Sequence, residues 1–358
     1  MGRRYLEMMA LKRCTSIGLL FAATFLLSSR CLAAGPAPSP READPGAAHA
    51  LFDFHSGFWI NLHHFLYEEA ATSDTGPRPI AHEPESQEDA SIATSLTPDE
   101  QKTWSAAVSY YRENVIQRDL LKNDALRIVK NRLEESEDAS TLARVHIDPV
   151  LARVLDRAAP IYRAHWWPQH DRANRAWIDA VTPLIDQHGA ALSQELAKAF
   201  ETPWPSQPIR VDVVAYANWA GAYTTLLPSR VAISSIDSRN QQTAALEILF
   251  HEASHTLIEN VGNTLLRDFA ARKKTAPRDL WHALLFFSVG FYVEQLYSNY
   301  TPYADRNDLW EHGFSPSFRE ALVKDWQPHL EGKLSLDAAL AQLAADFPDR
   351  NTAHIPKP

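Results

Sequence analysis

A mostly α, α+β fold is predicted: a helical N-terminal region, then a region with a small antiparallel-type sheet and a motif-bearing helix. Three features predict it. Apolar residues recur at helical spacing through residues 97–200. Across residues 209–234 the texture changes to short β-like runs separated by turn residues. After Ser238 helical spacing returns, and Leu246, Leu249, Phe250, Ala253 and Leu257 form an apolar stripe. The 358 residues, 45% hydrophobic and 22% charged, supply enough apolar side chains for a sizeable core.

The first 34 residues read as a secretory signal peptide. Lys12 and Arg13 precede an apolar run over residues 17–27, and Leu32-Ala33-Ala34 offers small residues before Gly35. The run is well short of the roughly 20 residues that span a bilayer. Cleavage there would place the mature chain outside the cytoplasm, secreted or periplasmic. Cys14 and Cys31 are the only two cysteines and both lie in this segment. The mature chain would then have no disulfide, thiolate ligand or cysteine nucleophile.

Residues 35–50, rich in Pro and Ala, read as a loose leader. Residues 51–70 are aromatic and His-rich and read as a helix. Residues 72–95, with Pro77, Pro79 and Pro84, read as a long loop or flap. Thr97-Pro98-Asp99-Glu100 is a helix start, with a capping threonine, a first-turn proline and a reciprocal glutamate. Pro149, Pro160, Pro168 and Pro183 punctuate the helical run, and the proline-rich stretch 202–208 ends it. Ile209, Val211 and Val213 alternate with polar neighbours, and residues 222–226 and 231–234 are also β-like. A helix over residues 278–298 is unusually apolar, and two more are expected over 315–327 and 335–347. The chain thus divides into signal peptide (1–34), leader (35–50), helical region (51–205) and metal-binding region (206–358).

The formal charge is −9 and is unevenly placed. Residues 1–34 carry five cations against Glu7, leaving 30 basic and 43 acidic residues in the body. An acidic body has no spare cations for nucleic-acid phosphates or anionic lipid. No later segment has the length of a membrane span, so neither nucleic acid nor a membrane is expected as partner.

His251-Glu252-Ala253-Ser254-His255 is an H-E-x-x-H motif. Residues four apart on a helix lie one above the other, so two imidazoles can reach one Zn²⁺ from the same face. Glu252 stands beside them as a general base for a zinc-bound water. In this motif and its setting the sequence resembles the zincin metallopeptidases over residues 209–300: strands, motif helix, connecting helix and a second ligand helix. That resemblance implies a zinc-dependent hydrolase, a peptide or protein substrate, and a sheet edge above the motif helix that aligns it. Ile258 and Val261 stand where a metzincin would have Gly and His, so the likeness is to the gluzincin type.

Three residues compete as third ligand. His282 is an odd polar residue among Trp281, Leu284, Leu285, Phe286 and Phe287, and is preferred. Glu294 lies roughly three turns later on the same helix. Glu259 continues the His251–His255 row by one turn. Tyr297, Tyr300, Tyr303 and His312 are candidates for a donor to a developing oxyanion or for substrate contact. Asn218-Trp219-Ala220-Gly221 would mark a strand end beside the cleft. His63-His64, and the cluster His165-Trp166-Trp167 with His170-Asp171, read as packing elements before cleft walls. The alternative reading is a non-catalytic zinc-binding or partner-binding protein on the same scaffold.

Overall fold

Two distant parts of the chain build the sheet. The structure, a computed structural model, describes residues 46–72 and 86–347. The expected signal peptide, most of the leader and residues 73–85 of the expected flap lie outside them. In chain order the first elements are α1 (Ala47–Leu51), β1 (Phe52–His55), α2 (Phe58–Thr72), α3 (Gln87–Ser95), α4 (Pro98–Asn114) and α5 (Asp124–Glu134). Then come α6 (Pro149–His165), α7 (Trp167–Ala199), β2 (Ile209–Val214), β3 (Ala222–Thr225) and β4 (Arg230–Ser234). The motif region contributes α8 (Thr243–Ser254), α9 (Glu259–Ala271) and α10 (Leu280–Leu296), and shorter helices lead to a last one at Leu336–Asp346.

The molecule is mostly helical with one four-stranded sheet, as predicted for the class. The sheet is mixed. Its order is β1-β2-β4-β3; β1–β2 and β2–β4 pair in parallel, and only β3–β4 is antiparallel. The helix expected over residues 51–70 begins instead as β1. Phe52 and Phe54 alternate with Asp53 and His55, the period of a strand rather than a helix. Phe52 packs edge-on against Phe250 of α8 at 5.3 Å and against Trp204 at 6.2 Å. Pairing Phe52 with Ile209 and His55 with Asp212 completes the sheet.

Part of the expected flap is also helical. Ser86 caps α3 by accepting from the backbone of Asp89, whose buried carboxylate receives Tyr216 Oη (2.5 Å), Ser86 Oγ (2.8 Å) and His170 Nε2 (3.1 Å). Pro149 and Pro168 open helices, but Pro160 and Pro183 sit inside α6 and the 33-residue α7. Both are exposed, so the carbonyls they leave unpaired can meet water. The helix expected over 315–327 forms as Pro316–Ala321 followed by a π-turn at Leu322–Trp326.

The sheet separates two apolar cores. Val211, Val213, Ala222, Val231 and Ile233 face one core with α7, α8 and α10. Val214, Tyr223 and Ala232 face the other, with α2, α4 and α6. Alternation along β3 therefore turns Thr224 toward α8 and Tyr223 away from it. Among the described residues no helix is long and apolar enough to cross a membrane.

Candidate metal centre

β3 is an edge strand among the described residues, bonded only to β4. Under it lies α8, fully buried from Ala244 to Ser254. The helix ends at the motif: His255 is its C-cap, and a tight turn leads into α9. α10 runs antiparallel to α8. His282 meets His255 (ring centroids 5.2 Å), Phe286 stacks on His251 (3.6 Å), and Gly290 passes Glu247.

This register brings three imidazoles together. The ring centroids of His251, His255 and His282 are 5.1–5.2 Å apart, and one ligand nitrogen from each lies within 4.8 Å of the others. His251 Nε2 and His282 Nε2 are 3.1 Å apart. Two nitrogens on one tetrahedral zinc are about 3.3 Å apart for Zn–N bonds near 2.05 Å. The three rings can hold a metal ion at this spacing.

The electrostatics agree with that use. Burial holds the pKa of His251 and His255 well below the ordinary histidine value, and the neighbouring imidazoles push the same way. Burial takes His282 down to about 4. All three rings are therefore neutral at neutral pH, the state that offers a lone pair. Trp281, Phe286 and Phe314 wall the triad. His251 is 1% exposed, whereas His255 and His282 are partly open to solvent.

Glu252 is buried beside the triad, its Oε2 3.9 Å from His255 Nε2. The Thr224 hydroxyl lies 2.7 Å from Glu252 Oε2 and 2.8 Å from Glu252 O, and shares its one proton between them. Burial raises the carboxyl to about 7, against the opposing pull of that hydrogen bond.

The other predicted residues separate clearly. Glu259 starts α9 beyond the end of α8, so it does not continue the ligand row, and it is exposed. Glu294 is exposed near the far end of α10, roughly 18 Å along the axis from His282. Tyr297 also follows the far end of α10, packed against His188. Tyr300 donates to Glu247 Oε2 (2.7 Å). Tyr303 is 3% exposed and stacks on Phe286, which stacks on His251. Burial raises its phenol, Arg239 opposes, and the carboxylates of Asp237, Glu252 and Glu247 add to the rise. His312 is exposed at the end of a short helix.

Asn218-Trp219-Ala220-Gly221 forms the turn into β3. Gly221 has φ +77°, and a Cβ there would fall 2.1 Å from Asp237 Oδ2. His64 bonds Tyr223 Oη (2.8 Å) and His63 bonds Tyr111 Oη (2.7 Å), on the sheet face opposite the triad. His165 pairs with Glu100, Trp166 stacks on Trp104, and His170 bonds Asp89, so that cluster is packing. Sequence reasoning missed Thr224 and Glu247. Glu247 carries a legible signal, four residues before His251 in the ligand row. Thr224 carries none, because its contact depends on how β3 crosses α8.

No known protein family, curated protein or solved structure matches this chain. The functional reading rests on the site itself.

Proposed function

We propose that the chain is a zinc-dependent metallohydrolase, most simply a peptidase, exported from the cytoplasm. The observation that carries this reading is the meeting of three neutral imidazoles beside a buried glutamate. His251, His255 and His282 would hold the ion, and an all-imidazole set suits zinc and leaves a fourth position open. When bound, the ion would polarise a carbonyl and lower the pKa of water in the site.

The chain's own residues supply the rest. Glu252 takes a proton from the attacking water and returns it to the leaving amine. A carboxyl near pH 7 is suited to both transfers. Thr224 orients that carboxyl through Oε2. Tyr303, whose ring stacks on Phe286 and so lies one ring beyond His251, is the candidate donor to the developing oxyanion.

Two measurements test this. Metal content by mass spectrometry should give one zinc per chain, lost in both His251→Ala and His282→Ala. A peptide-library digest should show cleavage that a chelator abolishes and that Glu252→Gln removes while keeping its zinc. Zinc-replete protein that cleaves nothing, with Glu252→Gln indistinguishable from wild type, would favour a binding role instead.

A further inference from the structure

Glu247 stands one turn before His251 on α8, so the two side chains share one helix face. Its carboxyl is fully buried and only half satisfied. Oε2 receives the Tyr300 hydroxyl (2.7 Å) and the Tyr303 backbone N–H (2.8 Å), whereas Oε1 meets no donor. His251 shows the complementary deficit. Its Nε2 faces His282, so a metal held at Nε2 would leave the proton on Nδ1. That Nδ1 is buried and has no acceptor.

A buried donor and a buried acceptor, each unpaired, thus lie one turn apart. Groups of this kind are costly to leave unmade, and native interiors pair them. Among the described residues of α8, α9 and α10, Glu247 Oε1 is the only buried side-chain oxygen without a donor. The facing helix leaves room for the carboxyl: α10 crosses at Gly290, where a Cβ would come within 3.0 Å of Oε1.

We infer that Glu247 is a positioning residue of the metal centre: Oε1 accepts the Nδ1–H of His251 when a metal holds Nε2, while Oε2 anchors the segment that carries Tyr303. The inference rests on the metal-site reading above. The pairing fixes the tautomer and ring plane of His251 and makes Nε2 a stronger ligand, the general role of a carboxylate behind a metal-bound histidine. It also ties the 300–303 segment and the ligand helix to one carboxyl, so the ion and the candidate Tyr303 donor are set by a common anchor.

Zinc affinity of the full chain, measured by chelator competition, tests this in wild type and Glu247→Gln. The amide keeps the shape but loses the charge, and zinc binding should weaken about 10–100-fold. Proton NMR of the zinc-loaded wild type gives a second readout that needs no variant. The His251 Nδ1–H should be shifted downfield and protected from exchange. Equal zinc affinity in the variant, or a rapidly exchanging Nδ1–H in the zinc-loaded wild type, overturns the role of Glu247. Wild type that binds no zinc overturns the metal-site reading itself.

Discussion

Acidification should destabilise this protein, in part through two histidines remote from the candidate metal centre. His63 and His64 are 0% exposed on α2. Burial lowers their pKa values to about 3 and about 4; the adjacent His64 also depresses His63, while the Ile60 carbonyl partly restores His64. An unfolded histidine takes its proton near pH 6.5. Between that pH and the buried values the unfolded chain binds more protons, so stability rises with pH and is lost on acidification. At pH 5 the gap is 1.5 units for each ring, or about 2 kcal/mol each at 1.36 kcal/mol per unit. Together they remove about 4 kcal/mol between pH 7 and pH 5, a large part of the 5–15 kcal/mol of an ordinary domain.

His63→Phe isolates one of the two. The substitution leaves the Tyr111 hydroxyl without its partner, a penalty of about 1–3 kcal/mol that does not change across this pH range. The diagnostic is the difference between pH 7 and pH 5 in urea unfolding free energy. It should shrink by about 2 kcal/mol in the variant. The triad histidines titrate equally in both proteins and cancel from the comparison. An identical loss on acidification in wild type and variant would refute the reasoning.

Three other outcomes are expected. Zinc at 100 times its dissociation constant should add about 2.7 kcal/mol, and with about 2.1 cal/mol/K of unfolding entropy per residue over roughly 300 residues this raises Tm by about 4 °C. The rise should vanish in His282→Ala, and a Tm indifferent to zinc in wild type would contradict it. Asp89→Ala strips a buried carboxylate from Tyr216, Ser86, Gln169 and His170 and should cost about 3 kcal/mol or more in urea unfolding. A change within experimental error would mean that α3 does not depend on this network. Gly290→Ala gains about 1 kcal/mol of helix propensity but brings a Cβ to 2.9 Å from the rigid Pro302 ring, an overpacking cost of about 1–3 kcal/mol. The clash should win and lower Tm in a thermal melt; a raised Tm would show that the segment carrying Pro302 yields freely.

The sequence displayed those parts of the fold and site that local spacing encodes. The motif helix is visible because His251, Glu252 and His255 and the stripe around them all follow one 3.6-residue period. His282 is visible because a polar residue in so apolar a helix asks for a reason. The choice among His282, Glu294 and Glu259 depends on the register of α10 against α8 and on where α8 stops. Those are tertiary facts, set by contacts such as Phe286 on His251. β1 was hidden for a related reason: a four-residue strand is stabilised by its partner, and its partner β2 lies far along the chain. Thr224 reads as an ordinary strand threonine until β3 is laid over Glu252.

The placement of β1 also dictates an order of assembly. Asn61, just after it, bonds the carbonyl of Val213 across 152 residues of chain. During synthesis at about 5–20 residues per second, the first strand emerges many seconds before the strand it must pair with. The intervening helices have time to form while that aromatic segment waits without a template. Loop closure over such a span favours late docking of β1, and a chain interrupted before β2 would lack the strand that Phe52–His55 pairs with.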